Sequence, residues 1–362
     1  MSTMSEPPRI GRAKAATTKP PSAPERILVV APAWVGDMVM TEPLTRLLRR
    51  LYPNAAIDLM APPWTAPLGS FMPEVRSVLS APFAHGRLAL AARWRMSRAV
   101  RRQGYDLAIL LPNSVKSALV PFLAGIPKRV GYAREGRALL LTEARWLDRR
   151  NLPRQIDRFL ALALPETASP PFDVPAPSFV LPEGTVDRAL ERLGLEQPSG
   201  KFMLLVPGAE FGPAKRWPIE HFAALAKNRH DAGWTVGLLG SAKDREIAAA
   251  VQSASGDTCL DLTGRTELGD AVALIALADV VVSNDSGLMH VAAALARPQV
   301  ALYGPSDPVL TPPLSPRAAV LRLGLACSPC HQRACPLGHH RCLVDLTPER
   351  VIDVLAALGR RM

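Results

Sequence analysis

Residues 280–290 read Val-Val-Val-Ser-Asn-Asp-Ser-Gly-Leu-Met-His, and no other stretch restricts the fold as much. Three β-branched residues in a row suit a strand buried on both faces, as in the interior of a parallel sheet. Ser283, Asn284, Asp285, Ser286 and Gly287 then end that strand with turn and cap chemistry. From Leu288 to Leu295 the chain resumes with Ala-rich helical spacing. A strand that turns directly into a helix aims unpaired N–H groups and the positive helix end at one point outside the sheet. An anion, most often phosphate, suits that point. Read alone, the same residues also fit a capped helix with no ligand.

The pattern recurs through the chain. Arg26–Val30, Ala55–Ala61, Val75–Ser80 and Asp106–Leu111 read as strands with helical spacing between them, including Leu88–Gln103 and Met38–Leu51. A Pro-rich stretch at 165–182 reads as a linker. Beyond it the alternation restarts, with strands expected at Lys201–Val206, Thr235–Leu239, Cys259–Leu262, Val280–Ser283 and Gln299–Tyr303. Thr347 and Pro348 then open a closing helix. Strands alternating with helices imply parallel sheets covered on both faces. At 362 residues the chain is long enough for two such units. Residues 1–25 lack the apolar core of a secretory signal and read as a disordered tail. No apolar run approaches the roughly 20 residues that span a bilayer.

Charge separates the halves. Residues 26–180 hold twenty-one Lys and Arg against eleven Asp and Glu, whereas residues 181–362 hold eighteen against nineteen. The first half therefore suits an anionic partner: nucleic acid, an acidic lipid surface or an acidic glycan. Arg93, Arg95, Arg98, Arg101 and Arg102 decorate one expected helix, and Lys128-Arg129 precede Gly131-Tyr132. An ordinary solvated face accounts for the Arg helix equally well.

Three turns carry candidate chemistry. Gly36-Asp37 follows the first strand, Gly208 to Lys215-Arg216 follows the first strand of the second half, and Asp285-Ser286-Gly287 follows the Val-rich strand. Ligands of doubly wound sheets bind beyond the carboxyl ends of the strands. No Gly-x-Gly-x-x-Gly or Walker sequence follows any of these strands, which disfavours a nicotinamide enzyme or a P-loop nucleotidase. No Asp-x-Asp triplet offers paired carboxylates to a divalent ion. Lys215 and the helix end after Asp285 instead suit phosphate directly. Cys327, Cys330, Cys335 and Cys342 form one cluster, interleaved with His331, His339 and His340. The set is compatible with zinc, with reduced thiols or with disulfides.

Taken together, Trp34-Val35-Gly36-Asp37-Met38, the loop ending Lys215-Arg216-Trp217-Pro218, and Ser283–His290 resemble the lipopolysaccharide heptosyltransferases, glycosyltransferase family 9. The Cys-rich segment ending Gly338-His339-His340-Arg341-Cys342 is most similar to the heptosyltransferase II branch. The resemblance implies a GT-B fold, two Rossmann-like doubly wound α/β domains facing across a cleft. Residues 26–180 would bind the acceptor and residues 181–346 the ADP-heptose donor, with the closing helix 347–362 crossing back to the first domain. It implies inverting, metal-free transfer of heptose from ADP-heptose to heptosyl-Kdo2-lipid A. This would take place on the cytoplasmic face of the inner membrane, with no nucleic acid partner and no resident cofactor.

By family position Asp37 would be the general base. Lys215 and the N–H groups of Ser286, Gly287 and Leu288 would hold the departing diphosphate, with Gly208 allowing close backbone approach. Asp285 would accept hydrogen bonds from sugar hydroxyls, and His290 reads as a packing group. Arg93, Arg98, Lys128 and Arg129 would meet the acidic acceptor and the anionic membrane surface. A helix N-terminus should lower the pKa of Asp37 and weaken it as a base, an effect that burial in the cleft would offset. Other branches of the family, a nucleotide-sugar epimerase and a non-catalytic sugar-nucleotide-binding protein use similar frames. The carboxylate at Asp37 favours the transferase, because binding an anion alone has no need of it.

Overall fold

The computed structural model describes residues 23–83, 88–173 and 175–359. Most of the expected tail, residues 1–22, lies outside them. The first half runs β1 (Arg26–Val30), α1 (Val35–Val39), α2 (Glu42–Leu51), β2 (Ala56–Ala61), β3 (Ser77–Ser80) and α3 (Leu90–Arg102). It continues with β4 (Leu107–Leu110), α4 (Val115–Ala124), β5 (Lys128–Tyr132), β6 (Glu143–Arg145) and α5 (Gln155–Ala161). The second half runs α6 (Thr185–Leu193), β7 (Phe202–Val206), α7 (Ile219–Asp231), β8 (Thr235–Leu238), α8 (Arg245–Ala254) and β9 (Leu260–Asp261). It ends with α9 (Leu268–Leu277), β10 (Val280–Asn284), α10 (Gly287–Ala294), β11 (Gln299–Leu302), β12 (Ala318–Leu321), α11 (Arg341–Val344) and α12 (Pro348–Gly359).

Each half builds one six-stranded sheet, ordered β3-β2-β1-β4-β5-β6 and β12-β11-β10-β7-β8-β9. Every pairing is parallel. Counted from its own first strand, each sheet has the order 3-2-1-4-5-6, so strand order reverses between β1 and β4 and again between β7 and β10. Those two reversals are where a doubly wound sheet opens a crevice. The turns holding Asp37, Gly208–Lys215 and Asp285 leave β1, β7 and β10, so all three lie at the reversals.

The central strands Phe202–Val206 and Val280–Asn284 are buried at every position; the first is apolar throughout, and the second is apolar up to Ser283 and Asn284, whose side chains are hydrogen-bonded. The short outer strands β5, β6 and β12 were not expected. β5 and β6 contain Lys, Arg, Glu and Gly, which obscure an apolar pattern of three to five residues, and β12 is only four residues long, Ala-Ala-Val-Leu. The helix expected over Met38–Leu51 is divided. α1 stops at Val39, and α2 starts at Glu42 with Pro43 in its first turn, where a missing N–H costs nothing.

The closing helix corrects an expectation. α12 packs on α7, β11 and β12, and its Val351 and Leu355 join Trp217, Phe222 and Leu302 in the second half's core. Among the described residues its main packing partners belong to the second half, where a crossing to the first domain was expected. The halves meet instead through α1 and α10. One buried cluster contains Met38 of the first half together with Val206, Leu239 and Val291 of the second. The Pro-rich stretch also ties them, since Phe179 N donates to Ala294 O (2.9 Å) and Val180 N to Phe71 O (3.0 Å).

Candidate active site

α1 and α10 touch almost backbone to backbone. A Cβ on Gly287 would stand 2.6 Å from Val35 Cβ, and one on Gly36 would stand 2.6 Å from His290 Cδ2. Two glycines, one from each half, therefore set the closeness of the contact. Asp37 follows Gly36 within α1, and its half-buried carboxyl is pushed up to about 6. Desolvation is the main cause, and the positive charge of Arg158 pulls weakly the other way. α1 has only five residues, so its end charge is too small to hold the carboxyl down. Burial, the offset expected from the sequence, dominates. Arg158 was not foreseen. Its guanidinium is pinned to Leu152 O (2.9 Å), Pro153 O (2.6 Å) and Gln155 Oε1 (3.1 Å).

Across the contact, Ser286 caps α10 by accepting from Met289 N (3.4 Å). The N–H groups at Gly287 and Leu288 open the helix. Asn284, fully buried, ties the two turns together: its amide donates to Pro207 O (2.8 Å) and its oxygen accepts from Trp217 N (3.0 Å). Trp217 is buried in turn, donating to Leu346 O (2.6 Å). This framework sets Lys215 beside Asp285, and the two form an ion pair. Asp285 is therefore met by a cation, and the pair carries no net charge. His290 is buried, and desolvation pushes its imidazole down to about 4. It is neutral near pH 7.

Several expected binding residues have other work. At Gly208 the space a Cβ would need is filled by the carboxylate of Asp244, whose Oδ2 accepts from Ser241 N (2.9 Å) and Oγ (2.8 Å). The glycine makes room within its own half. Arg93 is buried, donating to Leu88 O (2.7 Å) and Lys116 O (2.7 Å) with its guanidinium over the Phe83 ring. Arg129 donates to Leu140 O (2.9 Å) and to Ile126 O, and Lys128 pairs with Glu143 (3.1 Å). Lys128 and Arg129 also stand at the amino end of β5, whereas the crevice lies beyond the carboxyl ends. The charge run in the sequence carried no information about which end of the sheet it would occupy. Arg98 is exposed and stacks on Trp94 at 5.0 Å, and among the described residues no hydrogen bond or ion pair uses its guanidinium.

Cys327, Cys330, Cys335 and Cys342 are free thiols. Among the described residues no group of three or more His, Cys, Asp or Glu side chains is arranged to hold a metal ion, so the zinc reading that the sequence left open gains no support. The segment lies against the site instead. His331 N donates to Pro305 O (2.8 Å), Ser328 Oγ to Gly304 O (2.5 Å) and Ala214 N to Arg333 O (3.0 Å).

The sequence matches the family model described as glycosyltransferase family 9 (heptosyltransferase) over residues 93–341. It is 46% identical over 347 residues to lipopolysaccharide heptosyltransferase 2 of Escherichia coli strain K12, covering 92% of this chain and 98% of the relative. It is 42% identical to lipooligosaccharide heptosyltransferase 2 of Haemophilus influenzae, covering 92% and 99%. The solved structure of the Escherichia coli ADP-heptose lipopolysaccharide heptosyltransferase II superposes with a TM-score of 0.81 at 44% identity, covering 92% and 98%. An Escherichia coli heptosyltransferase solved with ADP shares the fold at 22% identity, with a TM-score of 0.69 and coverage of 92% and 99%.

Proposed function

The chain belongs to glycosyltransferase family 9, the heptosyltransferases, and we propose that it moves L-glycero-D-manno-heptose from ADP-heptose to heptosyl-Kdo2-lipid A, inverting the anomeric centre. The observation that carries the mechanism is the placement of Asp37. A carboxylate with its pKa raised to about 6 stands at the crevice of one sheet, within a helix that touches the phosphate-type helix end of the other. Such a group is ionised at neutral pH yet basic enough to take a proton.

Residues 26–180 hold the acceptor and residues 181–346 the donor. Asp37 takes the proton of the acceptor hydroxyl as that oxygen forms its bond to the anomeric carbon. The bond from that carbon to the diphosphate breaks on the opposite face, and ADP leaves with the electron pair. Lys215 and the N–H groups of Ser286, Gly287 and Leu288 stabilise the charge that gathers on the diphosphate. Asp285 holds Lys215 in place and turns to the sugar hydroxyls as Lys215 engages phosphate. The enzyme works from the cytoplasmic face of the inner membrane. Its contact with the membrane is peripheral, and no helix among the described residues is long and apolar enough to cross a membrane.

The test is direct. Incubated with ADP-heptose and heptosyl-Kdo2-lipid A, the chain should release ADP and lengthen the acceptor by one heptose. Asp37→Ala should lose at least about 10²-fold in turnover with ADP affinity kept. Turnover within a tenth of wild type would remove Asp37 as the base, and ADP release without acceptor would indicate a hydrolase.

A further inference from the structure

Phe211 carries two cations. Lys215 Nζ lies 4.9 Å from the centroid of its ring, and the guanidinium carbon of Arg333 lies 5.2 Å from it. The two come from segments far apart in sequence, and the backbone locks them together. Ala214 N donates to Arg333 O (3.0 Å), and a Cβ on Gly212 would stand 2.5 Å from the same oxygen. On the far side of Arg333, the bonds from Ser328 and His331 fix its segment to the Gly304-Pro305 turn after β11. Arg333 is thus held at the carboxyl edge of the second sheet. Its side chain is exposed, and among the described residues no hydrogen bond or ion pair uses its guanidinium. Lys215, by contrast, is already matched by Asp285. A nucleoside diphosphate leaving a sugar gathers negative charge, and a lysine neutralised by a carboxylate leaves much of that charge unmet.

We propose that Arg333 is a donor-site residue whose guanidinium binds the diphosphate of the sugar nucleotide, held ready beside Lys215 by stacking on Phe211. The planar, permanently charged fork of arginine suits two phosphate oxygens at once, and stacking on a phenyl ring leaves its N–H edge open. The Cys-rich segment then has a role without any metal: it is the arm that delivers Arg333. This inference rests on the heptosyltransferase reading.

Four proteins decide it: wild type, Arg333→Gln, Arg333→Lys and Phe211→Leu. Calorimetry with ADP and with phosphate-free adenosine is combined with donor KM and melting temperature. Arg333→Gln should weaken ADP roughly tenfold and raise donor KM, leaving adenosine binding and the melting temperature unchanged. Arg333→Lys should recover most of the ADP affinity, and Phe211→Leu should fall between. The proposal is overturned if Arg333→Gln binds ADP as wild type does, or if ADP and adenosine weaken together with a lowered melting temperature, as for a purely structural residue. If wild type binds no ADP, the heptosyltransferase reading fails and this inference with it.

Discussion

His290 lays its imidazole against the bare backbone of Gly36, so close that a methyl group on Gly36 would stand 2.6 Å from Cδ2. One residue belongs to the second half and the other directly precedes Asp37, the proposed general base. The ring is buried and uncharged near neutral pH, so it acts here by shape. It sets how near α1, and with it Asp37, can come to the second half.

Gly36→Ala tests that spacing. An ordinary Cβ contact is beyond 3.4 Å, so a ring 2.6 Å away must move. The variant should fold, bind ADP within about twofold of wild type, and lose about ten- to a hundredfold in kcat, the scale of a misplacement near 1 Å. Removing the ring as well, in Gly36→Ala/His290→Ala, should restore part of the loss. Normal turnover in the single variant would show that the closeness of α1 and α10 is unimportant.

Asp37 should leave two signatures in pH. Its carboxyl titrates at about 6 when folded, against an ordinary value of 3.8. Activity needs the ionised form, so kcat/KM should fall with unit slope below about pH 6. Stability runs the opposite way. The folded chain holds this proton more tightly than the unfolded chain, so the contribution is complete below the ordinary value and is lost as pH rises through 6. The ionised carboxylate thus costs at most about 3 kcal/mol above pH 7. Asp37→Asn, which cannot ionise, should melt above wild type near pH 8, and that advantage should vanish near pH 4. Thermal scans at the two pH values settle it, and equal melting temperatures at both would place the carboxyl in ordinary solvent.

What could be read in the sequence was local. Val280–Val282, the Asn-Asp-Ser-Gly turn and the Ala-rich start of α10 adjoin in the chain, so strand, turn and helix were legible together. Asp37 and Lys215 were legible for the same reason, each lying just beyond an apolar strand. Contacts between distant segments were not. Nothing near Gly36 names His290, nothing near Phe211 names Arg333, and nothing near Lys128 says which end of β5 it occupies. The sequence around Gly208 suggested room for phosphate, but the room is taken by Asp244, 36 positions away.

Lys215 pairs with Asp285 and is proposed to bind phosphate, two roles that mutation can separate. Lys215→Ala removes the proposed phosphate contact and also strands Asp285, whose side chain is only 6% exposed. An unpaired carboxylate there should cost on the order of 3 kcal/mol, together with a loss of ADP affinity. Lys215→Met/Asp285→Asn removes both charges, so it should regain the stability and not the affinity. Denaturant unfolding and calorimetry on the two variants read the duties independently. A double variant that binds ADP as wild type does would take Lys215 out of the phosphate site.

Membrane attachment is the remaining prediction, and the structure changes which residues should carry it. Residues 75–134 hold eleven Lys and Arg against one carboxylate, Asp106. Within α3, Arg93 is buried, and Arg101 donates to Leu123 O (2.6 Å) and Ala124 O (3.1 Å), so replacing either would loosen the domain. The exposed positions of α3 include Leu90, Trp94, Arg95, Arg98 and Arg102, an aromatic and an aliphatic side chain among three cations. That face suits the boundary of an anionic bilayer, with the apolar groups entering it and the guanidiniums at the headgroups. Each cation near such a surface contributes roughly 1 kcal/mol, so Arg95→Gln/Arg98→Gln/Arg102→Gln should weaken binding to phosphatidylglycerol vesicles about a hundredfold. Wild-type binding should also fall steeply with salt, because the attraction is screened beyond about 8 Å at physiological ionic strength. The triple variant should keep wild-type kcat on a detergent-solubilised acceptor and show a raised KM only when the acceptor sits in vesicles. If its vesicle binding at low salt equals that of wild type, α3 is a solvated face and the bilayer contact lies elsewhere on the first half.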